Sequence, residues 1–115
     1  WEKIIDFAAL TAKVKWMVRK GLEAMIALDP QIARDVCNSD DEVDEQFRLI
    51  KEKVISELGK GNSNVRALIT ELTISDYMES IADHANKICE DVVYTVDAEV
   101  IRHSSMANTP RNHST

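Results

Sequence analysis

The chain is poor in residues that break or staple structure. Its 115 residues include 3 Gly, 2 Pro and 2 Cys, and aromatic residues make up only 5%. So few breakers and aromatics argue against a β-sandwich and leave room for long helices. Cys37 and Cys89 stand singly, in no Cys-x-x-Cys pair. A structural disulfide therefore has no support, and a reduced, cytoplasmic protein is the expectation. No apolar run approaches the ~18 residues of a spanning helix, so no membrane span is expected, and no signal peptide is visible. A basic excess is missing too. The formal net charge of −6 argues against nucleic acid as the main partner, because phosphate backbones need a basic face. It favours cations or basic partner surfaces. Phosphate-cradling glycine loops and a nucleophile elbow are absent. No nucleophile stands beside a base, so no enzyme is expected.

What is present is helical periodicity over a length that fits one domain. The first segment runs from about Trp1 to Leu28. Leu10, Val14, Met17, Gly21, Ala24 and Leu28 recur at spacings of four and three, one face of an amphipathic helix, with Trp1, Ile4 and Phe7 extending it backwards. Asp29-Pro30 is a helix start: Asp caps free N–H groups and Pro has none to waste. The second segment runs from Pro30 to about Leu58 on a stripe of Ile32, Val36, Val43, Phe47, Ile50 and Val54. Asn38-Ser39-Asp40-Asp41 are poor helix formers. The apolar spacing resumes in phase after them, so a continuous helix with a polar patch is expected rather than a loop. Gly59 to Asn64 is a loop.

The third segment runs from about Ser63 to His103, with Ile74, Met78, Ile81, Ala85, Ile88 and Val92 as its expected core stripe. Residues 1–103 are thus expected to form an all-α, antiparallel up-down-up three-helix bundle. Residues 104–115 read as a disordered polar tail. The first residue is Trp1 rather than Met, which makes a fragment or a processed product the expectation.

A second, polar stripe runs along the third segment. Glu79, Asp83, Asn86 and Glu90 recur at four, three and four, and Asp40 and Asp44 share the four-residue spacing on the second segment. In an antiparallel hairpin, residues whose numbers share a midpoint lie level, since both helices rise ~1.5 Å per residue. Asp40 with Asp83 and Asp44 with Glu79 are both centred between residues 61 and 62, inside the expected loop. If those faces meet, four carboxylates come together, and each pair at ~4 Å costs roughly 4 kcal/mol at an effective dielectric of ~20. No Lys or Arg lies within the two motifs. A multivalent cation would remove the repulsion, and oxygen donors suit Fe, Mn, Mg or Ca, with Zn possible.

The bland alternative is a solvated acidic face, since acidic pairs at this spacing are common on helices. The Glu-x-x-His of di-iron bundles is absent, as Ala82 stands three residues after Glu79. His84 follows Asp83 directly and points about 100° away from it, so it reads as a packing or hydrogen-bonding residue. His103 and His113 read as solvent-exposed. The lone thiols read as buried and unreactive.

The stretch Tyr77 to Tyr94 resembles the signature of PhoU proteins at Glu79, Ile81, Asp83, His84, Ala85, Ile88, Glu90, Val92 and Tyr94. Asp40, Val43 and Asp44 are similar to the family's Asp-x-x-Val-Asp element, and Glu99 to His103 to its last helix. The resemblance covers about 90 residues. It implies a PhoU-like, spectrin-like three-helix bundle, usually one of two in tandem, here the C-terminal half. It implies multinuclear metal, iron above all, held by Asp40, Asp44, Glu79 and Asp83, with Asn86 and Glu90 as weaker ligands. It also implies a regulator of phosphate uptake and phosphate-starvation signalling. Its partners would be a Pst-type phosphate transporter ATPase and its sensor kinase, with a homodimer possible through the face that normally meets a twin bundle. Ser80 stands where the family usually has Arg, which removes a local cation. Alternatives are a metal-free helical interaction or oligomerisation module and an accessory domain of another phosphate transporter, such as a sodium-coupled one. A di-metal enzyme would need an enclosed pocket that a helix face does not provide.

Overall fold

Asp29-Pro30 divides the first helix from the next. The Asp29 carboxylate accepts from the N–H groups of Gln31 at 2.9 Å and Ile32 at 3.3 Å, a cap worth about 1 kcal/mol. Before it, α1 (Ala8–Ala27) closes at Leu28, which is left-handed with φ 50°. The N–H groups of Leu28 and Asp29 both donate to Ala24 O. After it come α2 (Pro30–Asn38), α3 (Asp40–Gly59) and α4 (Val65–Asn108). The computed structural model describes residues 5–61 and 64–108, all-helical and without a strand among them. Trp1 and Ile4 of the expected first stripe lie outside the described residues. None of the described helices is long and apolar enough to cross a membrane.

Three boundaries differ from expectation. The second segment is not one uninterrupted helix: a single residue, Ser39, separates α2 from α3. Its hydroxyl donates to Asp35 O, the acceptor that the next helical N–H would use, and its N–H slips to Val36 O. A short hydroxyl side chain competing with the backbone ladder accounts for the break. The apolar phase still holds across it, with Ala33 and Val36 buried before and Val43, Phe47 and Val54 buried after. Second, the expected loop from Gly59 to Asn64 begins one residue later, since α3 ends at Gly59 and α4 starts at Val65. Gly61 turns the chain with φ +74°, and residues 62 and 63 lie outside the described set. Third, α4 continues through Asn108, past the expected end at His103, so residues 104–108 are helical. Residues 109–115 of the expected tail lie outside the described residues.

The core is built on α4. The buried stripes of α1 (Leu10, Val14, Met17, Gly21, Ala24), α2 and α3 all turn toward it. The seam of α4 reads Leu68, Glu71, Ser75, Met78, Ala82, Ala85, Cys89 and Val92, in steps of three and four. Of the expected stripe, Met78, Ala85 and Val92 lie in this seam, whereas Ile74, Ile81 and Ile88 stand one residue before its Ser75, Ala82 and Cys89. Ile74 and Ile81 are 39% and 49% exposed, and the middle of the seam carries the small residues Ala82, Ala85 and Cys89. Small side chains let the helices approach closely, and Phe47, Met17, Val36 and Val43 fill the space between them. Each such large side chain stabilises the fold by about 1.5–3 kcal/mol when fully buried. Leu28, expected on the α1 stripe, is exposed, because its left-handed backbone turns it out of the helix face.

Contacts fix the relative heights of the helices. Thr11 meets Met78, and Gly21 lies against Ala85 and Cys89, so residue numbers rise together along α1 and α4. Arg34 pairs with Asp97 and Lys51 with Glu79, so numbers rise along α2 and α3 as they fall along α4.

Candidate metal centre

The break at Ser39 places Asp40 at the first position of α3, followed by Asp41 and, one turn on, Asp44. Carboxylates are favoured there by the unsatisfied N–H groups of a helix start. Oxygens of Asp40, Asp41 and Asp44 lie within 4.8 Å of one another. Facing them, α4 presents Glu79, Asp83, Asn86 and Glu90. Asp44, Glu79, Ser80 and Asp83 line one shallow polar depression. Asp40 has its carboxyl pushed above the ordinary carboxylate range, first by burial, then by the charges of Asp44, Asp83, Asp41 and Glu90. The two motifs lie near each other, as Asp83 acts on Asp40 and Asp44 shares the depression with Glu79 and Asp83, but the ion pairs Arg34–Asp97 and Lys51–Glu79 are centred near residue 65 rather than between residues 61 and 62.

Asn86 and Glu90 form the far end of the cluster. The Asn86 amide donates to Glu90 Oε1 at 2.7 Å. Asn86 itself is only 9% exposed, and its carbonyl oxygen Oδ1 is buried with no hydrogen-bond partner. An orphaned buried acceptor carries a cost of about 1–3 kcal/mol, and a cation would relieve it.

Two cations approach the cluster from outside the two motifs. Lys51 Nζ lies 3.7 Å from Glu79 and Lys87 Nζ 3.3 Å from Asp83. Both lie outside the two short motifs: Lys87 is one turn beyond Asp83, and Lys51 reaches across from α3. Their ammonium groups offset only part of the charge. Six carboxylates (Asp40, Asp41, Asp44, Glu79, Asp83 and Glu90) against two lysines leave four negative charges in excess.

The donor set is therefore all oxygen, with excess negative charge and one unmet neutral acceptor. That chemistry fits hard or borderline divalent and trivalent cations. Asp41 belongs to the cluster and was missed from the sequence. Its signal in the sequence is its three-residue spacing from Asp44. His84 does not join: its Nδ1–H donates to Ser80 O at 2.7 Å. Neither thiol is activated. Burial, then Glu90 and Asp40, raise the Cys37 thiol, and burial pushes Cys89 up to about 11. Both stay protonated near neutrality and serve as no nucleophile.

Comparison with known proteins identifies the family of the sequence. The family model described as PhoU domain matches residues 8–92. A Clostridium acetobutylicum protein named phosphate-specific transport system accessory protein PhoU homolog is 28% identical over 89 residues, which are 77% of this chain and 41% of that protein. A Thermotoga maritima PhoU homolog 1 with the same descriptive name is 28% identical over 93 residues, 81% of this chain and 39% of the relative. A Methanothermobacter thermautotrophicus PhoU homolog 1 is 24% identical, covering 82% of this chain and 43% of the relative. The chain thus spans about two fifths of the length of these curated relatives. No solved structure matches it.

Proposed function

The chain belongs to the PhoU domain family, and from that premise we propose that it is a regulator of phosphate uptake and phosphate-starvation signalling that works by binding rather than turnover. The family match over residues 8–92, with relatives named as accessory proteins of phosphate-specific transport, carries this reading. In it the helices form an up-down-up bundle in the cytoplasm. The carboxylate cluster holds metal, and outer faces of the bundle dock on a phosphate transporter and on the sensor kinase coupled to it.

The ligands in this reading are Asp40, Asp44, Glu79 and Asp83, with Asn86 and Glu90 at one end and Asp41 as an addition. The buried, partnerless Asn86 Oδ1 and the four excess negative charges support it. Iron is the metal that the resemblance to PhoU proteins implies, and the all-oxygen donor set also suits Mn, Mg or Ca, with Zn possible. Bound metal would supply positive charge that ties α3 to α4. Elemental analysis of protein purified without a chelating tag tests the site. Stoichiometric metal is expected, and it should be lost without loss of helicity in the variant Asp40→Asn, Asp44→Asn, Glu79→Gln, Asp83→Asn. Metal content unchanged in that variant sinks the ligand assignment. Removing the chain from its source cell tests the regulatory role. Phosphate uptake should rise under phosphate sufficiency, and unchanged uptake would refute it.

One observation favours a second reading. Lys51 and Lys87 already approach Glu79 and Asp83, as they would in a metal-free helical interaction module. That reading expects no bound metal and melting indifferent to chelator.

A further inference from the structure

On the flank of α4 away from the carboxylates, α1 and α4 lie side by side and leave an open groove lined by these two helices alone. Val18, Leu22 and Ile26 of α1 face Met78, Ile81 and Ile88 of α4 across it. Leu22, Ile26 and Ile81 are well exposed, a row of large apolar side chains that a monomeric surface rarely displays together.

The charges along this groove are unusual for the chain. The helix α1 carries Lys13, Lys15, Arg19 and Lys20 against a single acid, Glu23, in a protein of net charge −6. Lys20 pairs with Glu23, and Lys13 lies over the Trp16 ring. Lys15 and Arg19, both in the groove wall, make no ion pair among the described residues. Most other described basic side chains have a carboxylate partner. Two like charges one turn apart repel, and the acid in the same groove wall, Glu23, is paired with Lys20, so among the described residues neither Lys15 nor Arg19 has an ion-pair partner.

We propose that this groove docks an amphipathic helix of a partner protein, with its apolar face between α1 and α4 and acidic residues along the edge that meets Lys15 and Arg19. A channel between two helices matches the shape of a third helix, and the unpaired cations select acidic flanks. The proposal rests on reading the chain as an adaptor that works by binding, and it requires no metal.

The test titrates the full chain against a fluorescent synthetic amphipathic peptide about six turns long. The peptide carries leucines on one face and glutamates on both flanks, and is compared with the same peptide carrying lysines. The glutamate peptide is expected to bind at least about tenfold more tightly at low salt, and the advantage should shrink as ionic strength rises. Lys15→Glu with Arg19→Glu should reverse the preference. Leu22→Ser with Ile81→Ser, both at exposed positions, should weaken binding of either peptide while circular dichroism shows the helices kept. No binding, or binding blind to flank charge, overturns the proposal. So does a homodimer in sedimentation that the Leu22 and Ile81 substitutions dissociate, since the groove would then hold a second copy. Capture by phosphatidylserine vesicles through the same two residues also overturns it, in favour of a membrane face. Retained metal and retained control of phosphate uptake without peptide binding would sink the groove alone and leave the adaptor reading standing.

Discussion

Gly21 offers a direct measure of how closely α1 and α4 approach. It is buried in the interior of α1, and a Cβ built there would stand 3.5 Å from Cys89 Sγ, 3.6 Å from Ala85 O and 3.9 Å from Ala85 Cβ. Those are ordinary van der Waals separations, so Gly21→Ala should fit without moving either helix. Glycine in a helix interior costs about 0.5–1 kcal/mol relative to alanine, largely through the freedom it gives the unfolded chain. The added methyl also removes apolar surface from water, at most about 0.8 kcal/mol. The net expectation is stabilisation by about 1 kcal/mol, a rise in Tm of about 4 °C for a domain near this size. The assay is thermal unfolding followed by circular dichroism, under reducing conditions and with chelator present, so that metal linkage does not enter. Gly21→Leu is the control: it overpacks the same contact and should destabilise by about 1–3 kcal/mol. A Gly21→Ala protein that melts lower than the parent would refute the reasoning, because the helices would then be closer than the contact to Cys89 allows.

Leu28 holds a left-handed conformation that costs a residue with a Cβ about 1–2 kcal/mol, and its side chain is exposed. The penalty exceeds the extra unfolded-state freedom of glycine, about 0.5–1 kcal/mol. Leu28→Gly should therefore stabilise by about 0.5–1 kcal/mol, read as a higher urea midpoint, and a lower midpoint refutes the account. Asp40 makes a pH prediction for metal-free protein. Its folded pKa is raised above the ordinary 3.8 by burial and by Asp44, Asp83, Asp41 and Glu90, so the folded state binds its proton more tightly than the unfolded state. Stability should accordingly fall as pH rises from the ordinary carboxylate pKa through the raised one. Asp40→Asn should melt higher than the parent at about pH 7, by a margin that narrows toward about pH 4. Lys51 and Lys87, bound to Glu79 and Asp83, soften the repulsion without reaching Asp40. If attraction to the start of α3 outweighs it, the sign reverses and the account fails.

Much of this structure was legible before the coordinates. The Asp29-Pro30 start, the stripe from Leu10 to Ala24 and the phase from Val36 to Val54 are local signals. Capping chemistry and the 3.6-residue period write them directly into neighbouring residues. Helix rise alone brought Asp40 and Asp83 into one neighbourhood but not to one level, since Arg34–Asp97 and Lys51–Glu79 are centred near residue 65. The interruption at Ser39 was not legible, because it turns on which of two acceptors a hydroxyl takes. Nor were Lys51 and Lys87, whose reach depends on long side chains crossing from outside the motifs. Asp41 escaped because adjacent residues on a mid-helix face diverge, whereas at the start of α3 Asp40 and Asp41 both bring an oxygen within 4.8 Å of Asp44.

The largest displacement, the seam of α4, links the core to the surface. Periodicity alone gives equal weight to the frame of Ile74, Ile81 and Ile88 and to that of Ser75, Ala82 and Cys89, and hydrophobicity then favours the isoleucines. Packing reverses that choice. Where α1 packs on the middle of α4, around Ala82, Ala85 and Cys89, the central line is narrow, as Gly21 against Ala85 and Cys89 shows. Bulky residues at the centre would hold the helices apart and open voids beside them. The isoleucines are therefore displaced by one residue to the rim, where Ile81 and Ile88 join Leu22 in the groove. The opposite rim is left to Glu79, Asp83, Asn86 and Glu90. One helix thus presents an apolar groove on one flank and a carboxylate cluster on the other because its middle is too narrow for either.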